Sequence, residues 1–104
     1  MDPKLIDFTT IDHPPWKTIQ DVAEKLLTDY EGTCTFFAMC SALSIPRHTG
    51  DELKLARCLN GLDVPDLRSR YLVADWCKEQ IKAIQANDGK SVEETMPDNS
   101  VDSA

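Results

Sequence analysis

Cys34, Cys40, Cys58 and Cys77, with His13 and His48, are the side chains of this sequence best suited to metal or nucleophilic chemistry. A structural zinc site usually draws on tight C-x2–4-C pairs, so that two thiolates converge on one tetrahedral ion. The spacings here are C-x5-C, C-x17-C and C-x18-C. On a helix, Cys34 and Cys40 would stand about 240° apart and face different sides. No metal and no cofactor is expected from this pattern. A cysteine nucleophile needs a depressed pKa and a base within reach. Cys34 lies near the start of an expected helix, where the dipole would help, and His13 and His48 lie in expected loops. No local motif supports a thiol enzyme or redox protein, which stays an alternative. The simpler reading is four small buried apolar residues, reduced rather than paired in disulfides.

Paired carboxylates are the next candidates for acid–base work. Asp51 with Glu52 and Asp63 with Asp66 sit where helix caps are expected, which already explains them. Asp21 and Glu24 fall on the polar face of a helix. The four glycines are not clustered, so there is no phosphate-cradling loop. Residues 18–26 superficially resemble the first helix of a helix-turn-helix. That motif then needs a short turn and a polar or basic recognition helix. Leu27 stands where the turn should begin, and the next segment holds Phe36, Phe37, Ala38 and Met39 without a lysine or arginine. A transcription-associated regulator would have to assemble a basic strip from Arg47, Arg57, Arg68 and Arg70.

The elements that carry these residues read as helices. Pro14-Pro15 opens one, because proline fixes φ near its helical value and lacks an N–H that the first turn would leave unpaired. Trp16, Ile19, Val22, Ala23, Leu26, Leu27 and Tyr30 then recur every three or four residues, which predicts a helix over 15–30 with Gly32 as its stop. Residues 33–43 contain no charge and end before Pro46; a strand is possible over 34–37, but Ala38, Met39, Ala42 and Leu43 favour a second helix, one that lacks a polar face. Thr49-Gly50-Asp51-Glu52 has the form of a capping box and opens a third, over 50–60, closed by Asn60-Gly61. Asp63-Val64-Pro65-Asp66 opens a fourth, over 65–86. Its main stripe is Leu67, Tyr71, Ala74, Cys77 or Lys78, Ile81 and Ile84, while Leu72, Val73 and Trp76 lie off that stripe.

Chain length and composition set the frame. One core is all that 104 residues provide for, and 41% hydrophobic residues are enough to build it. The expected organisation is an N-terminal extended arm over 1–13, an all-α domain of about four helices over 14–86, and a disordered acidic tail over 87–104. In that tail Asp88, Glu93, Glu94, Asp98 and Asp102 oppose Lys90, so more than half of the net charge of −7 sits there. An acidic chain repels phosphate backbones and anionic membrane surfaces, which disfavours nucleic acid and membranes as partners. No run approaches ~20 consecutive apolar residues and no export signal is evident, so a cytoplasmic protein is expected.

What remains is surplus apolar surface. A bundle of this size has room for one wholly buried helix, not two. The uncharged second helix and the off-stripe residues of the fourth exceed that allowance. Phe36, Phe37, Met39, Tyr71, Leu72, Val73 and Trp76 are therefore the interface candidates, several of them the residue types that anchor contacts. The competing possibility is that the N-terminal arm folds over the excess. The functional expectation is a small non-enzymatic protein-interaction module (adaptor, chaperone-like or inhibitory) that binds another protein or itself as a homodimer. The motifs are helix punctuation and carry no family signature.

Overall fold

The computed structural model describes residues 2–93 and their side chains through residue 87. The described chain is all-helical, in the order α1 Pro3–Phe8, α2 Trp16–Asp29, α3 Phe36–Ala42, α4 Gly50–Leu59 and α5 Leu67–Glu93. The extended N-terminal arm is corrected to a helix. Asp2 accepts a hydrogen bond from the Lys4 amide at 2.9 Å, and Pro3 takes the first helical position, so a cap and a proline nucleate a turn in a segment too short to show periodicity. Leu5 and Phe8, three apart, both face inward and are fully buried. Asp2 also lies 3.5 Å from Lys25 of α2, and Lys78 of α5 donates to the Ile11 carbonyl at 2.6 Å, tying the segment down at both ends.

α2 buries the predicted stripe of Trp16, Ile19, Val22, Ala23 and Leu26. Its end does not use Gly32 in the left-handed conformation; the Thr33 and Cys34 amides close it by donating to the Tyr30 carbonyl at 2.9 and 2.7 Å. α3 is shorter than predicted. Thr35 caps it by accepting from the Ala38 amide, and a Schellman turn ends it, with left-handed Ser44 and the Ile45 amide donating to the Cys40 carbonyl. α4 starts as predicted at the Thr49 cap, but Glu52 reaches back to the His48 amide rather than to that of Thr49. Gly61, at φ 79°, forms the second Schellman turn: its amide donates to Cys58 and the Leu62 amide to Arg57.

Asp66, not Asp63, caps α5, accepting from the Ser69 amide at 2.8 Å; the helix starts at Leu67 because Pro65 precedes the cap rather than following it. Its other end passes residue 86 and reaches Glu93. Once a helix is nucleated each further residue adds a hydrogen bond, and no proline interrupts it before Pro97. Residues 94–104, the greater part of the expected disordered tail, lie outside the described residues.

α5 is the centre of the domain, with α1, α2 and α3 all packed against it and α4 reached through α2. Val73, Ala74, Trp76, Cys77, Ile81 and Ile84 are all buried along it. A helix touched by three neighbours buries a wide arc rather than a narrow stripe, which is why its first half is apolar on extra sides. Burying each large aliphatic or aromatic side chain contributes roughly 1.5–3 kcal/mol. Among the described residues none of the buried side chains is polar or charged.

Candidate interaction surface

The reactive groups are distributed by this packing in a way that suppresses reactivity. All four cysteines are free and buried. Burial pushes the Cys77 thiol up to about 12, with Cys34 adding to the effect. Burial likewise raises Cys34, Cys40 and Cys58. A nucleophile needs the opposite shift. Cys34 Sγ has Gln80 Oε1 at 3.8 Å instead of a histidine base. His13 packs on the Tyr71 ring at 5.6 Å between centroids, and His48 occupies a left-handed position at φ 61° in the α3–α4 turn. Among the described residues no group of three histidine, cysteine or acidic side chains is placed to hold a metal ion.

The carboxylates and arginines are mostly engaged locally. Asp21 pairs with Lys17 at 3.3 Å, Glu52 with Arg47 at 3.5 Å, and Asp63 with Arg57 at 2.7 Å. Arg47 also lies over the Phe37 ring, 3.7 Å from its centroid, and Arg70 Nε donates to the Pro65 carbonyl. Of the four arginines needed for a basic strip, only Arg68 is left without such an interaction among the described residues. No described helix is long and apolar enough to cross a membrane.

The seven interface candidates divide. Met39 and Val73 are fully buried and Trp76 is nearly so, which removes them from any exposed surface. For Val73 and Trp76 the reason is the wide buried arc of α5; Met39 is the inward side of α3. Phe36 is half-buried against the core. Phe37, Tyr71 and Leu72 are exposed, and Phe37 is screened on one side by Arg47. The structure thus keeps part of the first half of α5 as surface and leaves α3 with one exposed aromatic.

A concentration of exposed apolar side chains lies where the sequence pattern assigns only helix punctuation and stripe. Leu62, Val64 and Leu67 are 64, 63 and 57% exposed, three large aliphatic groups within six residues of the α4–α5 connection. Tyr71 follows one turn later on the Leu67 side of α5. The Schellman turn explains how Leu62 gets there: its amide is bound to Arg57, and the side chain that often packs back on the helix in this motif instead points to solvent. Asp63 is held by Arg57, so this knuckle presents its aliphatic residues around a neutralised acid. A clue was available in sequence: a leucine just after a left-handed glycine, with valine two residues on and no helix for either to join.

About 100° around α5 from Tyr71, Leu72 borders a groove of about 270 Å³ between the α3–α4 turn, α4 and the start of α5. Leu43, Ile45, Leu55, Cys58 and Pro65 supply its apolar lining, with Asp51, Lys54, Asp66 and Ser69 among its polar groups. Comparison with protein families, with curated proteins and with solved structures finds no match to this chain.

Proposed function

We propose that the chain is a small non-enzymatic protein-interaction module that docks through the knuckle formed by the α4–α5 connection and the first turns of α5. The observation that supports this is the crowding of Leu62, Val64 and Leu67, each more than half exposed, into six residues. Single exposed aliphatic residues are ordinary on protein surfaces, whereas a concentration of them calls for a covering partner. The partner available to every copy is a second copy. Two-fold pairing sets knuckle against knuckle and closes the assembly. An adaptor, chaperone-like or inhibitory role fits such a surface. A reducing, cytoplasmic compartment belongs to the same proposal, supported by the free, buried thiols.

Sedimentation equilibrium of the full chain tests the proposal. The wild type is expected to associate with rising concentration. The double variant Val64→Asp, Leu67→Asp is expected to sediment as a monomer with an unchanged melting temperature, because both positions are exposed. Association that survives the double substitution would place the contact elsewhere.

A further inference from the structure

The groove beside Leu72 and the knuckle are different in character, and the difference points to a different occupant. At about 270 Å³ the groove falls short of the roughly 300–1,000 Å³ typical of sites that enclose small molecules. It holds the equivalent of about nine water molecules, room for one or two large side chains, with the remainder of a ligand lying outside. Leu55 and Cys58 of α4 are buried beneath it, and Leu43, Ile45 and Leu72 stand around it half-buried or exposed.

Its polar lining is biased toward negative charge. Asp51, in the first turn of α4, and Asp66, the cap of α5, both line it, and neither forms an ion pair among the described residues. Hydrogen bonds from Ser69 hold the Asp66 carboxyl below the usual carboxylate range. Lys54 is the one cation in the lining, and it too forms no ion pair there. The chain as a whole carries −7. Acidic ligands therefore meet repulsion both near and far, while a cation beside an apolar side chain meets two carboxylates that form no ion pair among the described residues, Asp66 also capping α5.

We infer that this groove binds a short segment of a partner protein, one that inserts a large apolar side chain and sets a neighbouring lysine or arginine against Asp51 and Asp66. The inference rests on reading the chain as a protein-binding module, and it names what that module recognises. A second copy of the chain is a poor occupant. A knuckle entering the groove of the next molecule is a head-to-tail contact that repeats without self-complementarity and leads toward rings or filaments rather than a closed dimer.

Panning a library of random short peptides, displayed on phage, against the full chain tests this. Enriched sequences are expected to place a large apolar residue next to lysine or arginine, and their affinity is expected to fall at high salt. Lys54→Glu is expected to tighten the selected peptide by about three- to tenfold, and Leu72→Lys to weaken it by at least about tenfold. Both positions are exposed, and thermal melts confirm that each variant folds. No enrichment, enrichment of acid-flanked sequences, or a selected peptide indifferent to Lys54→Glu would overturn the groove assignment. If that happens while the wild type still dimerises through Val64 and Leu67, the protein-binding reading stands and the groove alone is lost. If dimerisation fails as well, both fall.

Discussion

Phe8→Ala is the substitution that tests most sharply whether α1 belongs to the core. Phe8 is 1% exposed and sits with Leu5 on the inward side of a six-residue helix packed on α5. Truncating a buried phenylalanine costs about 3–5 kcal/mol, the spread reflecting how far the site collapses. α1 is only six residues long, so it can settle partly into the space, and the lower end, about 3 kcal/mol, is expected. For a domain of this size each kcal/mol shifts the melting temperature by roughly 4–8 °C, so the variant should melt about 12–24 °C below the wild type. Helical circular dichroism followed against temperature and against urea reads this directly. Ile11→Ala, at an exposed position beyond α1, serves as the control and should change stability by less than about 0.5 kcal/mol. A Phe8 variant indistinguishable from that control would mean that the N-terminal segment does not pack as described, and that α5 is uncovered there.

Four further outcomes follow from the packing. Trp76→Asp places an unpaired carboxylate in the core and should prevent folding, whereas Phe37→Asp should fold and lose only the Arg47 stack; circular dichroism of the two purified chains separates them. Gly61→Ala should cost about 1–2 kcal/mol in urea unfolding, since alanine is strained at φ 79° and its Cβ would stand 3.1 Å from Gln20 Nε2. All four thiols should resist a small alkylating agent at neutral pH in the folded chain and react together in denaturant; one fast-reacting thiol would revive the nucleophile reading. Stability should also decline in alkali. The folded Cys77 thiol titrates near 12 against an ordinary 9.0, so the native state holds that proton more tightly. Its contribution, on the order of 4 kcal/mol, is complete below about pH 9 and is lost as pH rises toward 12; urea titrations across that range should show midpoints that fall with pH.

Much of the architecture was legible because it rests on local signals. The three-and-four spacing from Trp16 to Leu26, the Thr49 cap and the Asn60-Gly61 stop each act within a few residues, and each appears where predicted. α1 was missed because six residues are too few to show a period; its cue was the Asp2-Pro3 pair, a cap followed by a proline. The distal limit of α5 was misplaced because the composition of residues 87–93 reads as tail, while propagation from an established helix carries it on. Burial was harder to read than secondary structure. Val73 and Trp76 looked surplus against a single stripe, and only the arrangement of α1, α2 and α3 around α5 explains where they go. Leu67 erred in the opposite direction, since membership of an apolar stripe says nothing of whether a neighbouring element arrives to cover it. Tyr71 and Leu72 are both exposed, but as consecutive residues they stand about 100° apart around α5 rather than on one face.

Docking through the α4–α5 knuckle, as proposed, would slow exchange where copies meet. Hydrogen exchange of the full chain, compared at low and high protein concentration, tests it at the level of individual segments. Slowed exchange confined to the stretch around Leu62, Val64 and Leu67 is expected as concentration rises, with no such slowing in the Val64→Asp, Leu67→Asp variant. Concentration-dependent protection that appears only at α2 or α3, leaving that stretch unchanged, would contradict it.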